Sequence, residues 1–102
     1  MNDAIATAIA GGANVGAKVE IPITDLVTHL DPGSSTGHYG LANGAAGQVK
    51  ILYNSDAAEV ATITPTTFAQ GANITMQAKE PVMLMYTTGG WIILGHYGVV
   101  VA

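Results

Sequence analysis

The sequence predicts an all-β chain with the form of a β-sandwich or jelly roll, assembled as an oligomer. Short segments rich in Val, Ile and Thr recur about every 8–12 residues between Gly, Pro, Asn and Asp turns, which is typical of such folds. Only 10% of the 102 residues are charged, where soluble domains have about 25%. Because so few charges solvate a lone domain poorly, we expect much of the surface to be buried against other chains. A β-prism-like intertwined trimer is the alternative architecture.

Residues 1–16 are predicted to be a flexible or shell-docking N-terminal arm, and residues 17–102 a single β domain. The run of Ala and Ile at 4–10 is shorter than the ~12–15 residues that an isolated helix needs, and Gly11 and Gly12 follow it. An arm of small apolar residues could lie across a neighbouring subunit.

The first strand is predicted within residues 17–30, where apolar residues alternate with polar ones from Val19 to Ile23. Pro22 cannot donate a ladder hydrogen bond, so this strand should lie at a sheet edge or carry a bulge. Residues 31–35 read as a turn at which the chain reverses, and residues 36–47 as a loop with at most a short strand. Further strands are predicted at 48–53, 59–64, 73–77 and 99–101.

A hairpin is predicted at residues 82–98, because two apolar runs flank Thr88-Gly89-Gly90 and glycine suits a tight turn. Its two faces are both apolar, so both need to be covered. One face would carry Val82, Leu84, Tyr86, Trp91 and Ile93, and the other Met83, Met85, Ile92 and Leu94. The residues predicted to lie in the core or in a subunit interface are Met83, Met85, Trp91, Ile92, Leu94 and Tyr97.

The charge balance disfavours several classes of partner. A net charge of −4 with three lysines and no arginine gives little means of holding phosphates, so we expect neither nucleic acid nor an anionic membrane as partner. No apolar run approaches the ~18 residues of a membrane span.

Groups for catalysis or metal binding are sparse, and we predict no enzyme, no metal and no cofactor. His29, His38 and His96 lack the close spacing of zinc ligands. Two acidic clusters, one around Asp31 and one around Asp56, lack the ladder of a calcium loop and are predicted to be solvated turns. Trp91 with Tyr39, Tyr86 and Tyr97 would be a sugar platform only if exposed, and core positions are favoured.

From Gly47 onward the chain resembles a family of small β-rich bacteriophage modules. The matching stretches are 47–51, 61–65, 71–76, 82–86 and Gly90-Trp91-Ile92-Ile93-Leu94-Gly95. Such modules are similar to capsid decoration (cement) proteins and to head- or tail-fibre pieces, and they are typically trimeric, so the resemblance implies a homotrimer. The resemblance implies a structural protein on the capsid surface of the virion, whose partners are further copies of itself and the major capsid protein. A fibre or spike module that binds a receptor or glycan is the alternative.

Overall fold

Two mixed β-sheets of five strands each make up the computed structural model, which describes residues 5–102. Within those residues there is no α-helix, only a single 3-10 turn at Val15–Ala17. The strands are β1 (Ile5–Ile9), β2 (Val19–Glu20), β3 (Val27–Leu30), β4 (Gly37–Leu41), β5 (Val49–Asn54), β6 (Ala61–Pro65), β7 (Ile74–Met76), β8 (Pro81–Thr87), β9 (Gly90–His96) and β10 (Val100–Val101). Sheet A has the order β1-β3-β5-β8-β9 and sheet B the order β10-β7-β6-β4-β2. This all-β architecture is consistent with a β-sandwich.

The first six strands alternate between the two sheets. In sheet A β1, β3 and β5 pair in parallel, and in sheet B so do β2, β4 and β6. The later strands pair antiparallel. A jelly roll is built from antiparallel strands, so this parallel winding differs from the jelly-roll form of the prediction. The turn predicted at 31–35 does not reverse the chain within a sheet but carries it from β3 in sheet A to β4 in sheet B.

The core lies between the inner faces of the two sheets. Sheet A contributes Leu30, Leu52, Val82, Leu84 and Trp91, and sheet B contributes Tyr39, Leu41, Ala61, Ile63, Ile74 and Met76, all buried. Burial alternates along β5 and β6, as expected of strands with one inner and one outer face.

Part of the predicted N-terminal arm belongs to the sheet. Residues Ile5–Ile9 form the edge strand β1, and the carbonyl oxygen of Ile9 accepts hydrogen bonds from the Asp31 amide (2.9 Å) and the Tyr39 hydroxyl (2.7 Å). Gly12 then exchanges two backbone hydrogen bonds with His38. Residues 1–4 of the predicted arm lie outside the described residues.

Strand β4 lies where the sequence predicted mainly a loop. Its glycines lie at close contacts rather than in a turn: a Cβ on Gly37 would lie 3.0 Å from the Pro32 side chain, and one on Gly40 would meet the carboxylate at the end of the flexible, exposed Glu20 side chain. The first predicted strand is shorter than expected. Strand β2 has only two residues, lies at the edge of sheet B and ends before Pro22, as expected for a residue that cannot donate a ladder hydrogen bond.

The predicted hairpin is the pair β8 and β9. Thr87 pairs with Gly90 across a two-residue turn at Thr88-Gly89, and the predicted division of the two faces is confirmed. The face with Trp91 packs into the core. The face with Met83 and Ile92 points away from sheet B; Met83 on it is exposed and Ile92 is partly buried.

Candidate interaction surface

The outward faces of the two sheets have opposite chemistry. On sheet A the outward side chains, called here the apolar face, are Val27, His29, Val49, Ile51, Tyr53, Pro81, Met83, Met85, Ile92 and Leu94. None of them is Asp, Glu, Lys or Arg. On sheet B the outward side chains of the three central strands, called here the threonine face, are His38, Thr62, Thr64 and Thr75. Polar hydroxyls are readily solvated, so sheet B can face water while sheet A gains from being covered.

The apolar face is built from residues that lie side by side on neighbouring strands. One row runs across Val27, Ile51 and Met83, and a second across Val49, Met85 and Ile92. A third row joins His29 to Tyr53, whose rings meet edge to face at 5.5 Å. Directly opposed side chains of this kind stabilise the sheet, and they also give it a continuous apolar surface.

A groove of about 470 Å³ crosses one corner of this face. Its walls include Ile51 and Met83 on one side and Leu94 and His96 on the other, with Tyr97 at the rim. The surroundings are open: Met83 is 40% exposed, Leu94 49% and Tyr97 76%. The groove thus combines an apolar hollow with an exposed aromatic ring beside it.

A β-bulge creates this corner. Met83 pairs with Gly95, but the next residue of β8, Leu84, pairs with Ile93, so Leu94 is an additional residue in β9. A bulge bends the strand and re-aims its side chains. Leu94 lines the groove and, on its other side, a second hollow beside Val101.

The four sheet edges are irregular, capped or very short, which suits them poorly to pairing with a further strand. In the edge strand β1 the register shifts between Ala6 and Ile9. Along β9 the amide of Trp91 donates to the Thr67 carbonyl (3.0 Å) and the amide of Ile93 to the Gln70 side chain (2.8 Å). The bulge follows. In sheet B the two edge strands, β2 and β10, have two residues each. Bulged, capped or very short edges resist strand addition, which leaves the apolar face as the better surface for association.

Of the six residues predicted to lie in the core or in a subunit interface, four belong to the apolar face and a fifth lies beside it. Met83 and Leu94 are exposed on it, Met85 and Ile92 are partly buried within it, and Tyr97 stands at the rim of the groove. The sixth, Trp91, is fully buried between the sheets.

Trp91 is held by a specific hydrogen bond in the core. Its indole Nε1 donates to the Ala42 carbonyl at 2.9 Å, and its ring meets Tyr86 edge to face at 5.3 Å. Tyr39 is buried as well, while Tyr97 is exposed. The aromatic residues considered for a sugar platform therefore do not share an exposed surface.

The buried Lys50 was not singled out by sequence reasoning. Its amine donates to the Asp25 carbonyl (2.7 Å) and to the Thr28 hydroxyl (2.6 Å), and burial lowers its pKa below the usual 10.5. The strand alternation that puts Lys50 on the same face as Leu52 was the available signal. With no route to solvent and two neutral acceptors, Lys50 has a structural role.

The two acidic clusters meet across two turns. Asp31 and Asp56 share a hydrogen bond that raises the pKa of Asp31, whereas amides of Glu59 and Ala58 lower the pKa of Asp56 to about 2. Both carboxyls are solvent-exposed. Among the described residues, no three His, Cys, Asp or Glu side chains are grouped so that they could hold a metal ion.

Comparison with known proteins returned no match: no family model, no curated protein and no solved structure is similar to this chain. Within residues 5–102 there is also no helix with the length and apolar character of a membrane span.

Proposed function

We propose that this chain is a structural virion protein, a capsid decoration or cement protein that assembles as a homotrimer and stabilises a bacteriophage head by bridging capsid subunits. In this role it performs no catalysis. The observation that carries the proposal is the apolar face, a broad uncharged surface on a chain whose other sheet has threonines on the outward side of its central strands and one exposed valine, Val100, at its edge. The biological setting is the one implied by the resemblance of residues 47–51, 61–65, 71–76, 82–86 and 90–95 to small β-rich bacteriophage modules.

The energetics of the apolar face suit a protein that works by packing. Burying 500 Å² of apolar surface per chain contributes roughly 12 kcal/mol at ~25 cal/mol/Å² before the cost of association is subtracted. Since that cost is estimated at about 4–15 kcal/mol, a single copy would bind weakly, whereas a trimer that also contacts the shell adds further surface. Multiple copies on a particle would then reinforce it.

A second candidate function, a fibre module that binds a glycan, is favoured by one observation. Tyr97 is an exposed aromatic ring beside a groove that also holds His96, an arrangement on which a sugar could stack. Binding on a glycan array that is lost in Tyr97→Ala, with the fold retained, would support this function.

Electron microscopy with immunogold labelling tests the proposal. Particles would be sedimented from a phage lysate of the source culture and labelled with antibodies raised against this chain. We expect gold on the heads, in many copies per particle. Label confined to the fibres would favour the second candidate, and particles without label would contradict both.

A further inference from the structure

We propose that the groove at the corner of the apolar face is a socket for Tyr97 of a second copy of this chain. Each copy would then carry one knob, the Tyr97 ring, and one socket, formed mainly by Ile51, Met83 and Leu94. This inference rests on the proposed function, because it names the partner that covers the apolar face and the contact that fixes the partner's position.

The socket has the size and chemistry to hold an aromatic ring. Its volume of about 470 Å³ exceeds that of one tyrosine side chain, and the side chains around it are almost entirely apolar. His96 in the wall is the one polar side chain that lines the socket besides Tyr97 itself, and it offers a hydrogen-bond partner for a phenol hydroxyl. Aromatic side chains bury about 150–250 Å² each, and Tyr is enriched at interfaces because its hydroxyl tolerates a wet rim.

The Tyr97 ring is mostly unburied within its own chain. Tyr97 stands at the rim of the groove with 76% of its surface exposed, while its backbone amide is fixed to the Pro81 carbonyl at 3.3 Å. The ring therefore lines the groove from a tethered backbone and keeps most of its surface in water. A large aromatic surface held in water by its own fold gains from burial in a partner.

A further copy is the occupant that the surface chemistry favours. The chain has a net charge of −4, yet the apolar face carries no Asp or Glu, so two copies can meet there without bringing like charges together. A knob and a socket on the same chain also allow head-to-tail contacts, in which the knob of each copy enters the socket of the next and a ring of three closes.

Three large side chains at this corner have much of their surface in water: Met83 is 40% exposed, Leu94 49% and Tyr97 76%. The apolar face of a second copy would remove that surface from water. The capped and bulged edge of β9 disfavours the competing arrangement, in which sheets join edge to edge. Two copies would exchange knobs reciprocally, and three would pass each knob to the next copy around a closed ring.

Two variants remove the two halves of this contact separately. Tyr97→Ala deletes the knob at an exposed position. Gly95→Leu fills the socket from within, because a Cβ at Gly95 would meet no atom within 4 Å and its backbone is not in the left-handed region. Tyr97→Phe keeps the ring, and Thr62→Ala changes the threonine face instead; these two serve as matched controls. Circular dichroism and the urea midpoint check that each variant is folded.

Sedimentation equilibrium of the full chain gives the decisive measurement. We expect Tyr97→Ala and Gly95→Leu each to raise the dissociation constant about 30-fold or more, as loss of an interface hot spot does, and both controls to behave as wild type. Mixing the two defective variants should restore part of the association, since one retains the socket and the other retains the knob. A purely structural defect would not be rescued by mixing.

The outcomes separate this inference from the proposed function. If Tyr97→Ala associates as tightly as wild type, or if mixing gives no recovery, the knob-and-socket contact is refuted. Should Met83→Glu dissociate the oligomer in that case, burial of the apolar face and with it the proposed function would stand. A wild-type chain that remains monomeric at the highest concentrations would refute the contact and the homotrimer together.

Discussion

Trp91 is the single residue on which the core depends most. It is fully buried, touches Tyr86, and donates its indole hydrogen to the carbonyl of Ala42 in the loop between β4 and β5. Through that bond it ties a loop to β9, 49 residues further along the chain. Removing the ring would therefore create a cavity and leave a carbonyl without its donor.

We expect Trp91→Ala to lower the free energy of unfolding by about 3–5 kcal/mol, the usual cost of deleting a buried tryptophan. Urea denaturation followed by circular dichroism measures this. Tyr97→Phe, which keeps an exposed ring, is the control and should change the free energy of unfolding by less than ~0.5 kcal/mol. A loss below ~1 kcal/mol for Trp91→Ala would contradict the buried position of the indole.

Lys50 makes the free energy of unfolding change with pH in the alkaline range. Burial lowers its pKa in the folded state, so between that pKa and the unfolded value near 10.5 the unfolded chain binds more protons than the folded one. Stability consequently rises with pH across this window. We expect Lys50→Met to remove that rise, whereas Lys18→Met, at an exposed lysine, should retain it. Urea unfolding midpoints of both variants, measured from pH 7 to 10.5, test this prediction. A rise that persists in Lys50→Met would show that Lys50 is not its cause.

Tyr39 has the opposite effect on the free energy of unfolding, at higher pH. Burial raises its pKa from 10.0 to about 12, so above pH 10 the unfolded chain loses the phenolic proton first and stability falls. We expect the free energy of unfolding to reach its maximum near pH 10 and to decline toward pH 12. The absorbance of ionised tyrosine, recorded with the unfolding curves, should show one residue that titrates late. Titration of all four tyrosines with ordinary pKa values in the folded protein would rule this out.

At the scale of elements, the β8–β9 hairpin depends more on Gly90, the first residue of β9, than on Gly89 in the turn. Gly90 has φ +116°, and a Cβ there would lie 2.7 Å from the Thr67 carbonyl oxygen. Gly89 has ordinary φ, and its Cβ would meet only the Thr87 hydroxyl at 3.8 Å. Sequence alone placed a turn at Thr88-Gly89-Gly90 without showing which glycine was indispensable.

We expect Gly90→Ala to destabilise the protein by roughly 1–3 kcal/mol, because a side chain in this backbone region is strained and collides with the chain beside it. Gly89→Ala is the matched control and should cost less than ~1 kcal/mol. The midpoints of thermal unfolding of the two variants measure this difference. Equal losses in both variants would show that the turn tolerates a side chain at either position.

The elements that the sequence predicted well are those with a strong local pattern. Strand β5 and the β8–β9 hairpin have clear alternation and turn residues, and they lie within a residue or two of their predicted bounds. Strand β4 was largely missed, because its glycines resemble those of a loop although they serve close packing against Pro32 and Glu20. The parallel winding was missed since periodicity does not report strand direction.

One repeated tetrapeptide illustrates why exposure could not be predicted locally. Gly37-His38-Tyr39-Gly40 and Gly95-His96-Tyr97-Gly98 have the same sequence, yet Tyr39 is buried and Tyr97 is exposed. The first lies in a strand inside sheet B, and the second extends beyond the end of the edge strand β9. Tertiary position, which local sequence does not encode, decides which tyrosine enters the core and which forms the rim of the groove.

At the scale of the whole molecule, the contrast between the apolar face and the threonine face is the feature that connects structure to function. Sequence reasoning predicted a second apolar side of the hairpin that the chain is too short to cover. The structure adds that this side continues across β5 and β3 and ends in a groove. A surface of this kind stabilises an assembly of chains and disfavours an isolated one.

The mass of the protein in solution tests this account most directly. Light scattering should give an oligomer, expected to be a trimer, for the wild-type chain. Met83→Glu, which places a charge on the apolar face, should give a folded monomer, and Thr75→Glu, which places the same charge on the threonine face, should leave the oligomer intact. A wild-type chain that is monomeric at high concentration, or an oligomer that survives Met83→Glu but not Thr75→Glu, would contradict the claim that the apolar face is the one that is covered.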